Sequence, residues 1–263
     1  MQGVGVERMS ESENGPKKNK GGKAVLLALA SGVIGALAFP GWEVWPLAFV
    51  MYVPLLMSLS SASSWRSGFF RGWVTGIVLH FGSYYWVFHT MISMSDLPPP
   101  LAVLALILFG LYSGLQQALF GGFFYLLNGR VGKHWPWAIS LVFVAVEWIF
   151  PHIFPWYLGG SFYDQPLLVQ TADIAGIHGV SFWIFLTNVL LLQVALGERN
   201  GGNPRRSGIL AAALAIVVLS YGGLRMAQID GIPAEKSLRL GMVQANVTPQ
   251  DKKRKGKARG IIY

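Results

Sequence analysis

A glutamate, Glu147, stands inside an apolar stretch that runs from Trp135 to Phe154. A carboxyl at membrane depth is costly and has to face a partner or a wet cavity. Two readings follow. It anchors a lipid headgroup or an incoming substrate, or it closes a structural hydrogen bond between helices, with His152 further along the same stretch as a candidate partner. Groups that would turn such a carboxyl into a catalyst are scarce. The chain has no cysteine, so these residues supply no disulfide, no thiolate metal site and no cysteine nucleophile. His80, His89, His134, His152 and His178 lack the spacing of a helical zinc motif, and no metal is expected. Seryl nucleophile elbows and P-loop patterns are missing from the sequence. Gly32-x-x-Gly35 and Gly121-Gly122 lie within apolar runs, where a phosphate cradle does not fit.

The elements that must position Glu147 are helices in lipid. Of 263 residues, 53% are hydrophobic and 13% are charged, and the mean hydropathy is +0.46. Globular domains carry about 25% charged residues. A spanning helix needs roughly 17–25 mostly apolar residues. Seven stretches qualify, at about 24–40, 44–60, 69–91, 101–127, 135–154, 177–197 and 208–226. The expected fold class is an α-helical integral membrane protein with about seven transmembrane helices, and residues 24–226 form its polytopic domain.

Charge placement sets the expected orientation. Arg8, Lys17, Lys18, Lys20 and Lys23 precede the first stretch; Arg66 and Arg71, then Arg130 and Lys133, then Arg199, Arg205 and Arg206 occupy every second loop. The intervening loops carry no Lys or Arg. Positive loops stay in the cytoplasm, so residues 1–23 form a disordered basic cytoplasmic arm and the chain beyond about residue 226 is exported. The net charge of +9 therefore reads as a topology signal and not as a nucleic-acid surface. A cleaved signal peptide over 24–38, ending at Ala36-Leu37-Ala38, is a competing reading; the long arm with Glu7, Glu11 and Glu13 argues against it.

Smaller features fill in the picture. Gly68, Gly72 and Gly76 are four residues apart, as are Gly110 and Gly114, a spacing that lets helix backbones approach closely in lipid. The segment from Phe154 to Gly160 is aromatic and helix-breaking. It reads as an interfacial belt residue by residue and, as a whole, as a re-entrant or surface-lying lip that shapes lipid access. After a polar linker, Leu238, Leu240 and Met242 alternate with Arg239 and Gly241 in a strand-like run that Pro249 ends. One strand is not stable alone, so this run is expected to open a domain whose remainder is not among these residues. The basic run from Lys252 to Arg259 reads as a solvated helix face.

Glu147-Trp148, Phe154-Pro155-Trp156 with Gly159, the run Leu168 to Gly176 with Gln170 and Asp173, then Gly179-Val180-Ser181-Phe182 and Asn188 resemble the membrane domain of bacterial apolipoprotein N-acyltransferases. Gly35 to Pro40 and the stretch from Arg71-Gly72 to Trp86 fit as well, and Val243-Gln244-Ala245-Asn246 is similar to the first strand of that family's nitrilase-like (carbon–nitrogen hydrolase) domain. Many members have an Arg soon after the Glu-Trp pair; here Ile149-Phe150-Pro151 follows, so no role for such an Arg carries over.

The resemblance implies a multi-pass protein of the bacterial inner membrane, with residues 227–263 as linker and start of an α/β nitrilase-like domain. It implies transfer of an acyl chain from a phospholipid to the N-terminal lipidated cysteine of a diacylated apolipoprotein, without a soluble cofactor. The reaction runs through a thioester on a catalytic cysteine, with a glutamate base and a lysine at the oxyanion. None of that triad maps onto Glu235 or onto Lys252, Lys253, Lys255 and Lys257. The chain then reads as the membrane portion of the enzyme, inactive alone: a truncated product, a fragment, or one piece of a split enzyme with a separately encoded nitrilase-like domain. Glu147, Trp148, Pro155, Trp156, Gly159, Gln170, Asp173, Gly176, Gly179 and Asn188 are the motif residues expected to serve lipid access or structure. A non-enzymatic transporter or envelope scaffold is the rival reading, against which stands the lack of an internal repeat.

Overall fold

The computed structural model describes residues 20–95, 97–130, 132–197, 203–232 and 239–244. Ten α-helices run through the described residues: α1 (Lys20–Ala38), α2 (Val53–Ser60), α3 (Trp65–Ser83), α4 (Trp86–Ser95), α5 (Pro99–Ser113), α6 (Leu115–Leu127), α7 (Trp135–Ile149), α8 (Pro166–Val169), α9 (Ala172–Leu196) and α10 (Pro204–Asp230). Short 3-10 turns at Trp45–Phe49, Gly132–His134 and Leu158–Phe162 join them. Among the described residues, four stretches are long and apolar enough to cross a membrane: Gly21–Ala38, Pro99–Leu127, Ala172–Leu196 and Pro204–Asp230.

The other three apolar stretches are shorter or interrupted, and prolines explain two of them. The 44–60 stretch is a 3-10 turn followed by α2, not one helix. Pro54 has no N–H to give, and its ring collides with the carbonyl four residues back, so the helix starts afresh after Tyr52. The 135–154 stretch stops at Ile149, because Phe150 precedes Pro151 and is extended at φ −66°, ψ 127°. The 69–91 stretch starts earlier, at a Ser64 cap whose hydroxyl accepts from Ser67 N–H at 3.2 Å, and breaks at Tyr84. At Tyr84 the chain turns so that the phenol ring packs among His80, Phe109 and Phe154.

Small residues bring the first helices together. Gly68, Gly72 and Gly76 of α3 lie against Gly121, Gln117 and Gly114, with no space for a Cβ between the backbones. On the other side of α3, the Thr75 hydroxyl donates to Ala28 O of α1 at 2.8 Å. The core beside them is aromatic. Phe143 of α7 stacks on Phe185 of α9 at 4.1 Å, and Tyr52 and Phe120 meet both rings at 5.0–5.4 Å. By contrast α10 packs on α8 and α9 and turns Ile216, Val217 and Leu224 outward. In lipid such a face is satisfied.

Arg71 departs from its expected place in a loop. It sits on α3, nearly buried, and its guanidinium Nη1 donates to Ser58 O and to the Ser61 hydroxyl at 2.9 Å. It thereby adds a charged donor to the Ser58 carbonyl at the C-terminal end of α2, which also accepts from the Ser61 N–H and hydroxyl. Residues 239–244 are not in a strand, and Leu240, Met242 and Val243 are exposed. The basic arm up to residue 19, both ends of the expected strand and the run Lys252 to Arg259 lie outside the described residues.

Candidate functional site

Glu147 occupies the last turn of α7 and is fully buried. Its Oε1 accepts from Leu158 N–H at 2.7 Å, and its Oε2 lies 3.2 Å from His178 Nδ1 on α9. The expected partner, His152, is not the one used. Because the helix ends at Ile149, His152 lies in the following loop, with Nε2 3.1 Å from Gln116 Oε1 of α6. The carboxyl thus joins α7, the start of the 3-10 turn and α9.

Ser181 completes the clamp, its hydroxyl accepting from Gly159 N–H at 2.9 Å. Two consecutive N–H groups at the start of the turn are thus held by side chains from two helices. Gly159 is needed for this approach, since a Cβ there would lie 2.7 Å from Ile177 O. Gly176 is needed for another reason: φ is +63°, and with Ala175 it breaks α9 after its first turn, so that His178 and Ser181 enter on a fresh helix.

The aromatic segment 154–160 folds inward. Trp156 is buried against Phe39 at 6.1 Å and His80 at 5.9 Å, so it is part of the interior and not of a headgroup belt. The Pro155 carbonyl accepts from Tyr84 OH at 3.4 Å, and the Pro151 carbonyl from Tyr112 OH at 2.6 Å. Tyr157 stands edge-on between His152 and His178, at 5.4 and 5.0 Å. Burial, and then the neighbouring His178, hold His152 below its ordinary value of 6.5.

The remaining motif residues lie in separate places. Trp148 turns away from Glu147 and is 70% exposed on the outer face of α7. Asn188 is buried on α9; its Oδ1 accepts from Tyr52 N–H at 2.9 Å and its Nδ2 donates to Ala48 O at 2.8 Å, bridging the gap between the 45–49 turn and α2. Asp173 sits at the start of α9, where it accepts from Tyr221 OH at 2.7 Å and meets Arg225 at 2.9 Å, fastening α10. Gln170 donates to Pro166 O within its own turn, and Gly179 packs closely on Ala175. Glu147 and Gly159 therefore meet at one clamp, with Gly176 and Gly179 shaping its helix and Pro155 and Trp156 on the loop that it holds, while Asp173, Gln170 and Asn188 serve other joints.

His178 and Ser181 were not singled out by the sequence, although a signal existed. His178, Ser181 and Asn188 are spaced at three and seven residues, one face of a helix, and polar side chains within a membrane stretch turn inward. The cluster contains a carboxyl, imidazoles and a hydroxyl, each engaged with backbone or a neighbouring ring. It holds a loop against two helices.

Comparison with known proteins agrees with this architecture. Residues 31–190 match the family described as apolipoprotein N-acyltransferase N-terminal domain. The chain is 31% identical over 232 residues to the apolipoprotein N-acyltransferase of Geobacter metallireducens, covering 84% of this chain and 44% of that one. It is 30% identical over 241 residues to that of Pseudomonas putida, with the same coverage of 84% and 44%. Apolipoprotein N-acyltransferase 2 of Leptospira interrogans is 33% identical over 137 residues, 52% of this chain and 23% of that one. The chain spans less than half the length of these relatives. It belongs to the family of the apolipoprotein N-acyltransferase N-terminal domain.

Proposed function

We propose that this chain is the membrane portion of a phospholipid:apolipoprotein N-acyltransferase and that it holds the lipid-access surface on which a cysteine-bearing domain works. The observation that carries the reading is the clamp itself. Glu147 and Ser181 hold the backbone N–H groups of Leu158 and Gly159, and so fix the loop that carries Pro155 and Trp156. The cluster positions and does not react: no cysteine stands in the chain, and the Glu147 carboxyl is occupied on both oxygens. The nucleophile, the base and the oxyanion lysine then come from a nitrilase-like domain outside these residues, with phospholipid as acyl donor and a diacylated apolipoprotein as acceptor.

In the same reading the protein lies in the bacterial inner membrane with its N-terminus in the cytoplasm. Seven apolar segments cross or enter the bilayer, the three shorter ones held by their neighbours, and residues 227–263 lead into the exported domain. The alternation of loops with and without Lys or Arg supports this orientation, although Arg71, being spent on α2, no longer counts toward it. A transporter that used Glu147 as its cargo site would need that carboxyl free, and it is engaged.

The test is acyl transfer from phospholipid to a diacylated lipoprotein peptide in proteoliposomes. The chain alone is expected to give no turnover, and addition of a polypeptide supplying the cysteine-bearing domain is expected to give it. Turnover by the chain alone, or none with any such domain although the proteins bind each other, would overturn the reading.

A further inference from the structure

A small polar pocket lies between the loop after α1 and the loop that leads from the 158–162 turn into α8. Its volume is about 200 Å³, and Glu43, Trp45, Ser161, Tyr163 and Asp164 line it together with Ala38, the last residue of α1. Tyr163 OH donates to Glu43 Oε1 at 3.0 Å. Neither Glu43 nor Asp164 is in an ion pair among the described residues. No Lys or Arg occurs between residues 24 and 65 or between 134 and 198, so the segments that build the pocket bring no cation of their own. The electronegative C-terminal end of α1 reinforces the negative field. Ser161 is only 5% exposed, and its hydroxyl, on the pocket wall, has no hydrogen-bond partner among the described residues.

Two carboxylates, a hydroxyl and an indole around one small space select an organic cation. An ammonium or guanidinium donates to the carboxylates and to Ser161, and an indole such as Trp45 attracts a cation over its face within about 6 Å. Small-molecule sites run from about 300 Å³ upward, so this one suits the head of a single side chain. The chain itself carries such heads. Lys252, Lys253, Arg254, Lys255, Lys257 and Arg259 put six positive charges on eight positions. They are within reach. Gly222 of α10 lies against the Leu167 carbonyl of α8 with no space for a Cβ. Asp164 is three residues before Leu167, and α10 ends at Asp230, about 12 Å of helix rise beyond Gly222. The end of α10 and the pocket are therefore within about 30 Å of each other. A coil of 21 residues, the number between Asp230 and Lys252, has a mean end-to-end distance of about 25 Å and reaches about 70 Å when extended. Such a tether holds the run near the pocket at roughly millimolar effective concentration.

We propose that the Glu43–Asp164 pocket docks the basic run Lys252–Arg259 of this same chain, with one Lys or Arg side chain entering toward Ser161 and its neighbours meeting the carboxylates at the rim. The run is then an intramolecular clasp and not a freely solvated face. Single exposed ion pairs contribute little; several on one tether, with one head buried beside Ser161, act together. The clasp brings the segment that leaves α10 back over the 158–162 turn, the turn whose first two N–H groups Glu147 and Ser181 hold. The docking does not require that the acyl-transfer reading be correct.

The test uses the full chain, one copy per phosphatidylcholine nanodisc. A water-soluble carbodiimide condenses a carboxyl with a touching lysine amine to an amide and takes up the water lost. Links from Glu43 or Asp164 to Lys252, Lys253, Lys255 or Lys257 are expected at least five-fold over links from Asp230 to the same lysines, although Asp230 is nearer along the chain. Tryptic cleavage within 252–259, measured against cleavage at Arg239, is expected to rise at least five-fold when Glu43→Gln and Asp164→Asn are combined, and to stay unchanged in Asp230→Asn. Equal cleavage in the unaltered chain and the double variant overturns the proposal. So do links made to the amine of added phosphatidylethanolamine in place of the run, which mean a headgroup site, and carboxyls shielded by millimolar Ca²⁺ but not by the run, which mean a metal site. Should the double variant not fold, the link map of the unaltered chain decides. Neither readout involves acyl transfer, so a failed transfer assay leaves the clasp standing, and a failed clasp leaves the functional reading standing.

Discussion

Glu147 Oε1 and Leu158 N–H are 2.7 Å apart in a fully buried setting, and that bond sets where the loop after α7 turns back into the fold. Removing the acceptor leaves a buried N–H unpaired, which costs about 1–3 kcal/mol. Glu147→Ala is expected to lower stability by that amount in a detergent unfolding titration. Glu147→Gln retains an acceptor and is expected to lose less than half as much. Proteolysis within 151–157 should rise in Glu147→Ala and not in Glu147→Gln.

Asn188 makes three hydrogen bonds from one amide, to Tyr52 N–H, Ala48 O and Ile184 O. Asn188→Leu keeps the branching at Cγ and removes all three. An expected loss of about 2–4 kcal/mol follows from unpairing two groups in the 48–52 bend. Asn188→Asp keeps the acceptor but loses the donor to Ala48 O, and is expected to fall between. Both are read by reversible unfolding in mixed micelles.

The ion pair of Asp173 and Arg225 is the contrasting case, because both side chains are more than a third exposed. Exposed pairs contribute about 0–1 kcal/mol. Asp173→Asn is therefore expected to change unfolding stability by less than 1 kcal/mol, and any effect is expected to shrink as salt rises from 0.05 to 0.5 M (roughly a three-fold change in screening length).

Gly72 lies against the Gln117 carbonyl, with no space for a Cβ. Gly72→Ala is expected to push α3 and α6 apart and to cost about 1–3 kcal/mol, in the range of overpacked interiors. Gly223, which has open space at the same point, is the control: Gly223→Ala is expected to be neutral or slightly stabilising.

His152 is held below its ordinary value of 6.5, first by burial and then by His178. With a depressed value in the folded protein, the unfolded chain takes up the proton first as pH falls. The stability this histidine contributes is complete above about pH 6.5 and is lost as pH drops below it. The wild type is expected to lose more thermal stability between pH 8 and pH 5.5 than His152→Asn does, as measured by differential scanning fluorimetry.

The apolar helices were legible because lipid imposes one rule on every residue of a span, and composition reports it. All seven stretches hold helix. Their lengths were less legible. The 44–60 and 135–154 stretches are mostly apolar, yet Pro54 and Pro151 act on single backbone groups that hydropathy does not register. At the site, Glu147 was visible because a carboxyl in a span is rare. Its partner was not, because pairing with His178 depends on α7 ending at Ile149 and on the Gly176 break turning α9 toward it. Arg71 reads as a loop charge in sequence for a related reason: only the fold shows that the end of α2 lies within its reach.

The bond from Tyr52 N–H to Asn188 joins residues 136 positions apart. At about 5–20 residues per second, translation needs roughly 7–27 seconds to deliver the acceptor once the donor has been made. α2, only eight residues long, spends that interval next to the translocon without its final tether. Until then only α1, α3 and α6, which also pack on α2, can shelter it, and synthesis of α9 is the moment at which the early half of the chain becomes locked.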